Sequence, residues 1–445
     1  MLSKREGESP FSFFVSAKKE CSALPLFPAL IHPKGIFFMI APLDLFLDQQ
    51  REQVITWQRE LTTRPALGPE SGGEGETAKA AWLAQELAAM GIPHITHINC
   101  PDPRVPSGER PNIVAVLPGK QKKTLWLVGH MDVVPAGDAA LWRTPPFTLH
   151  VEGDYVYGRG VEDNQQGIVS AMLAAKTLLA NKVEPELSLG LLFVADEETG
   201  MRHGLPHMLA ANPGLIQPGD LVVVPDTGVA DSSKIQIAEK SCLWLKFTIH
   251  GKQCHASVPD QGINSLVVAS ACILALEELY RRFRDKNLLF SPSWSTFVPS
   301  KKEANVENIN TIPGKDVFYM DCRLLPGHTP EAVLERCRSI VDEVAKNFST
   351  TVDIEVAHQL SGASATPEDA EVVTRLQHAL QATMGKTATL YGAGGQTLAS
   401  PLRAMGIPAA VWATLEPNPH VPNERSSIPH TIGDAKVFLH MLMNA

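Results

Sequence analysis

Two histidines and a group of carboxylates stand where hydrophobic runs stop. Gly129-His130-Met131-Asp132 follows the apolar run Thr124–Val128, and Asp196-Glu197-Glu198-Thr199-Gly200 follows the run Leu189–Ala195. Between them lies Gly158-Arg159-Gly160-Val161-Glu162-Asp163. With Asp226, in Val223-Val224-Pro225-Asp226, and His420, in Pro419-His420-Val421-Pro422-Asn423-Glu424, the candidate ligands are His130, Asp163, Glu198, Asp226 and His420. Two imidazoles, three carboxylates and no thiolate suit a pair of divalent first-row ions with one carboxylate shared, zinc first and cobalt or manganese after it. Asp132, two residues past His130, can return to the same side of an extended chain and hold the imidazole through its other nitrogen, orienting it without ligating. In the Glu197-Glu198 doublet successive extended side chains point opposite ways, so one carboxylate can bind metal while its neighbour faces an open cleft as a base. A base beside a metal-activated water, with a metal to polarise a carbonyl, is equipment for amide hydrolysis without a covalent intermediate.

Such groups need a rigid frame. The apolar runs ahead of His130 and Asp196 are short and nearly continuous, as in buried strands, and Asn112–Leu117 reads as another. From Gly167 to Leu179 apolar residues recur at helical spacing, which places Asp163 in a loop just ahead of a helix. Strand, loop, helix, strand is a parallel α/β unit. Upstream, one helix is expected over Leu43–Leu61 and a second over Thr77–Met90, closed by Gly91.

From Ser241 to about His358 the pattern changes. Strand Leu243–Ile249, helix Ile263–Phe283, a weak strand Trp294–Val298, strand Asp316–Leu324, helix Pro330–Phe348 and strand Thr351–Val356 make the β-α-β-β-α-β order of a ferredoxin-like sandwich. Helix Pro367–Met384, strand Ala409–Ala413 and helix Ile432–Met443 return to the earlier style. The expected fold is therefore α/β, a catalytic domain (39–238 and 359–445) with a mostly parallel central sheet, plus an inserted α+β lid and dimerisation domain (239–358).

Residues 1–38 carry no helical or alternating pattern and read as a poorly ordered extension, with Met39 as an alternative start. Phe11–Ala17 is too short for a secretory core, and Gly35–Leu43 is broken by Pro42 and too short to span a bilayer. The 445 residues, 44% of them hydrophobic, allow two domains; a net charge of −9 and the lack of any Lys/Arg run argue against nucleic acid. Seven scattered cysteines without a CxxC pair fit reduced thiols and a cytoplasmic setting.

As a set, the motifs resemble the dimetal exopeptidase and deacylase family that includes succinyl-diaminopimelate desuccinylase, acetylornithine deacetylase, aminoacylase and glutamate carboxypeptidase. His130-Met-Asp132, Gly158-Arg-Gly-x-x-Asp163, Asp196-Glu-Glu198, Pro225-Asp226, Gly251-x-x-x-His255-Ala-x-x-Pro259, Asn310-x-Ile-Pro313, Asp321-x-Arg323 and His420-x-x-Asn-Glu424 come in the family's order, over roughly Leu43–Ala445. The resemblance implies His130 and Asp226 on one metal, Glu198 and His420 on the other, Asp163 bridging, and Glu197 as general base. It implies further that His255 reaches a partner's active site to stabilise the oxyanion, in a homodimer joined through the lid. Asn310 and Arg323 would lie near the substrate's carboxylate, with Gly394 and Gly395 at a turn that lets backbone approach it. Two departures, Asp163-Asn164-Gln165-Gln166-Gly167 and Gly394-Gly395-Gln396-Thr397-Leu398, are expected where substrate contacts lie.

Overall fold

The computed structural model describes residues 34–416 and 418–444. Its main sheet has eight strands, in the spatial order His94–His97, Ile113–Leu117, Ser188–Val194, Thr124–His130, Leu221–Gly228, Ala409–Ala413, Lys234–Glu239 and Thr389–Ala393. The four strands from Ser188–Val194 to Ala409–Ala413 are mutually parallel, and the strand next to this group on each side, Ile113–Leu117 and Lys234–Glu239, is antiparallel to it. Thr124–His130 and Ser188–Val194 are buried at every position, which is why they read as unbroken apolar runs. Helices Gln165–Ala180, Glu371–Met384 and Ile428–Met443 share one core with one face of the sheet, while Leu205–Ala211 and Ala399–Ala404 pack on the other.

The expected helix Leu43–Leu61 is two helices, Lys34–Asp48 and Arg51–Thr62, with the break at Gln49-Gln50. Both lay their apolar residues (Leu43, Leu47, Val54, Trp57, Leu61) into the core beside Ile428–Met443. Asp44 and Asp48 of the first meet His440 (3.4 Å) and Lys436 (2.7 Å) of that last helix. Pro42 lies inside Lys34–Asp48 without ending it. Residues 1–33 lie outside the described residues; the remainder of the predicted extension, Lys34–Phe38, belongs to this helix.

A second sheet is wholly antiparallel, in the order Thr296–Lys302, Lys315–Leu324, Ser241–His250, Thr351–Leu360. Helices Ser265–Leu276 and Pro330–Asn347 cover one face around Leu245, Phe247, Val268, Phe318 and Val333, a core of its own. Order and connectivity are those of a ferredoxin-like sandwich. The expected helix Ile263–Phe283 stops at Leu276, followed by the short Leu279–Arg282. One residue, Lys240, separates this sheet's first strand from main-sheet strand Lys234–Glu239; its buried ammonium donates to the carbonyls of Pro292 (2.9 Å) and Trp294 (2.6 Å). Among the described residues no helix is long and apolar enough to cross a membrane, and six cysteines are free thiols.

Candidate metal centre

Parallel strands deliver their C-terminal ends to one edge, and this edge collects the candidate residues. His130 closes Thr124–His130, Glu197 and Glu198 follow Ser188–Val194, Asp226 sits near the end of Leu221–Gly228, and His420 follows Ala409–Ala413. Asp163 lies just ahead of helix Gln165–Ala180. His130 Nε2 is 2.9 Å from Asp163 Oδ1 and 3.4 Å from Asp226 Oδ1; His420 Nε2 is 3.1 Å from Asp163 Oδ2 and 3.2 Å from Glu198. Two groups result, His130–Asp163–Asp226 and Asp163–Glu198–His420, each with one donor atom per residue within 4.8 Å of the others. Asp163 is common to both, and each offers nitrogen and oxygen donors only, a set that fits a divalent first-row ion.

Crowding of like charge shows in the protonation equilibria. Burial, then the carboxylates of Asp226, Glu198 and Asp163, push Glu197 well above the usual carboxylate range despite His130. Glu198 is pushed up to about 7, first by burial and then by Asp163. His420 is pushed up to about 10 by its hydrogen bonds to Asp163 and Glu198. Such a cluster is balanced when cations share it.

Local structure departs from the extended geometry expected for the doublet. Glu197 and Glu198 lie in a turn, because both their N–H groups donate to one carboxylate: Glu197 to Asp132 Oδ1 and Glu198 to Asp132 Oδ2, each at 3.0 Å. Asp132 also meets the imidazole, but its backbone carbonyl (3.1 Å) is nearer His130 Nδ1 than its carboxylate (3.5 Å).

The segment Asn164-Gln165-Gln166, expected at the substrate, is buried instead. The Asn164 amide donates to Asp226 Oδ1 (3.0 Å) and the Pro225 carbonyl (2.7 Å), and its oxygen accepts the His130 N–H (3.3 Å). Side chains at Gly129 and Gly167 would collide with it or with Pro225, their Cβ atoms falling 2.6 Å from Asn164 Oδ1 and 2.4 Å from the Pro225 carbonyl. Gln166 bonds Thr414, Asp434 and Ser426. Asn164 was expected at the substrate and Glu424 was given no role of its own; their positions beside Asp163 and in the His420 motif were the available signal.

The lid candidates form two pairs. His255 and Asn310 are exposed, with Asn310 Nδ2 3.5 Å from His255 Nε2, and among the described residues neither makes a hydrogen bond or ion pair with the five clustered residues. Arg323 reaches across to the main domain, its Nη1 3.4 Å from the Gly394 carbonyl. Its Nε and Nη2 fork grips Asp321 (2.8 and 3.0 Å), leaving Nη1 for other partners. Gly394 and Gly395 border open space, whereas Gly392 belongs to strand Thr389–Ala393 and lies against the Phe290 ring, 2.4 Å from where a Cβ would stand. That packing, not a turn, requires glycine at 392.

The sequence profile of peptidase family M20/M25/M40 matches residues 126–444. An uncharacterized metallohydrolase of Methanococcus maripaludis is 37% identical over 412 residues, 88% of this chain and 99% of its own length. A succinyl-diaminopimelate desuccinylase of Hydrogenovibrio crunogenus is 26% identical over 344 residues, 76% of this chain and 88% of its own. Among solved structures, an M20 family metallo-carboxypeptidase of Sulfolobus solfataricus superposes with a TM-score of 0.71 at 18% identity, covering 88% of this chain and 98% of that one, a likeness of fold.

Proposed function

The chain belongs to peptidase family M20/M25/M40, metal-dependent hydrolases of amide bonds, and from that premise we propose that it cleaves an N-acyl or peptide bond beside a free carboxylate on a small substrate. The observation that carries this reading is Asp163, shared between His130–Asp226 on one side and Glu198–His420 on the other. These five residues would hold two divalent ions, zinc first and cobalt or manganese after it, which when bound would acidify a water and polarise the scissile carbonyl.

Glu197 is the general base: it takes the proton of the attacking water and returns it to the leaving amine. Asp132 holds both the His130 ring and the turn that carries Glu197. Arg323, through Nη1, together with Asn310 and the Gly394-Gly395 backbone, receives the substrate's carboxylate. His255 serves the site of a second copy in a homodimer. Helix Ser265–Leu276 supports such an assembly, since Leu266, Val267 and Leu274 on its outer surface are 41, 49 and 73% exposed. The proposed division is 39–238 with 359–445 catalytic and 239–358 the lid, and free thiols fit a cytoplasmic setting.

The test is a panel of N-acetyl and N-succinyl amino acids and dipeptides, assayed on chelated protein with zinc, cobalt or manganese restored. Hydrolysis should require two metal equivalents and a carboxylate next to the scissile bond. The acyl and dipeptide arms decide between a deacylase and a dipeptidase or carboxypeptidase. Full activity in protein free of metal would overturn the reading.

A further inference from the structure

Three successive backbone amides fix the segment that carries the base. Asp196 N–H donates to Glu76 Oε1 (3.3 Å), Glu197 N–H to Asp132 Oδ1 and Glu198 N–H to Asp132 Oδ2 (3.0 Å each). Both acceptor carboxylates are buried, so each holds its place only through partners of its own. For Glu76 that partner is Arg110: Nε donates to Oε2 at 2.7 Å, Nη2 closes the fork on Oε1, and neither side chain touches solvent.

The same guanidinium faces the turn directly. Its Nη1 lies 3.8 Å from Asp196 Oδ1 and 3.6 Å from Asp102 Oδ2. Asp196 has φ +62°, a left-handed conformation that a residue with a Cβ keeps only where its surroundings hold it. They do so on every side, since Asp196 Oδ2 also receives the His203 backbone N–H at 3.0 Å and meets His203 Nδ1 at 2.7 Å. Glu76 is the N-cap of helix Thr77–Met90, and Lys79 in its first turn, also buried, donates to the Met131 carbonyl at 2.8 Å, between His130 and Asp132. One helical turn thus braces both strand ends from behind the cleft.

We propose that Arg110, acting through Glu76, is a positioning residue for Glu197, fixing the turn from which the base reaches the cleft. It is buried and acts only through others. Its effect therefore falls on the chemical step, where a displacement of about 1 Å costs on the order of 10²-fold, and not on substrate binding. The proposal rests on Glu197 being the base.

The test compares Arg110→Met, Arg110→Lys and Glu76→Gln with the wild type for kcat, KM, metal stoichiometry by zinc titration, and melting temperature. Arg110→Met should lower kcat by roughly 10–100-fold with KM within about twofold and two ions still bound. Arg110→Lys should recover part of kcat, one donor replacing a fork, and Glu76→Gln should lower kcat in the same sense. If kcat stays within about twofold of wild type in the folded variants while only the melting temperature drops, the pair supports the fold alone and the proposal is overturned. Loss of an ion from Arg110→Met would overturn it too, by locating the effect at Glu198. Should Arg110→Met fail to fold, the other two variants decide on the same criteria. Wild-type turnover in Glu197→Gln would strike the base assignment instead, leaving the effect of Arg110 on kcat to be read independently.

Discussion

Glu424 holds the backbone that presents Asp163. Its Oε1 accepts the N–H groups of Asp163 (3.2 Å) and Glu162 (2.9 Å), while Oε2 accepts the Gly160 N–H (3.0 Å) and Arg159 Nη1 (2.7 Å). Because Glu424 follows His420 in the same loop, one buried carboxylate locks together two chain segments that meet at Asp163, the proposed shared ligand.

Replacing Glu424 with Gln should loosen both. The amide keeps one acceptor oxygen, its NH2 faces donors, and buried Arg159 loses its counter-charge. Each buried group left unsatisfied costs about 1–3 kcal/mol. A lower melting temperature and weaker zinc binding by calorimetric titration are expected together; unchanged zinc affinity would separate Glu424 from the metal centre.

The two glutamates of the doublet should fail differently. Glu197→Gln keeps size and removes the base, so turnover should fall by roughly 10²-fold or more with two metals bound. Glu198→Ala removes a donor 3.2 Å from His420 Nε2 and should lose an ion as well. Metal analysis beside kcat reads both, and the reverse pattern would exchange their roles.

Much of this centre was legible because parallel strands buried on both faces leave continuous apolar runs, and His130 and Asp196 mark where such runs end. What escaped depended on distant partners. No local pattern shows that Asp132 will take the amides of both Glu197 and Glu198, and that contact converts an extended segment into a turn. Asn164 read as a substrate contact because its tie to Asp226 joins the start of a helix to the end of a strand 62 residues away. Strand Lys234–Glu239 was missed for a related reason: Gln236 and Glu239 are polar yet buried, bonded to Thr227, Thr397 and each other, with Arg403 beside Glu239, which blurs its apolar pattern. The break at Gln49-Gln50 is hidden because apolar residues continue on both sides of it.

Away from the cleft, Asp434 gives the protein a pH-dependent stability. Burial pushes its carboxyl up to about 7 from 3.8, although the Thr414 N–H and Gln166 amide pull it down. With the folded pKa above the unfolded one, its contribution is fully present below pH 3.8 and is lost as pH rises through about 7. Asp434→Asn cannot titrate, so its melting temperature relative to wild type should climb between pH 4.5 and pH 8. A constant difference across that range would mean Asp434 is ionised throughout.

His255 tests the proposed assembly. Ser257 meets His255 Nδ1 through its hydroxyl (2.7 Å) and its N–H (3.2 Å), which leaves Nε2, on the Asn310 side, as the nitrogen open to a partner. A donor exposed there, without contact to its own chain's cluster among the described residues, is suited to charge that develops in a partner's transition state. Losing it should lower turnover far more than substrate affinity, since that charge is absent from the ground state. The decisive measurement is complementation between two inactive variants, His255→Ala and Glu197→Gln, mixed in equal amounts under conditions that exchange subunits. Each mixed dimer would pair an intact Glu197 in one chain with the intact His255 of the other, giving one complete site. Random pairing then predicts recovery of about a quarter of wild-type turnover. Proven exchange with no recovery would show that His255 serves its own chain, or that it stays outside the chemistry.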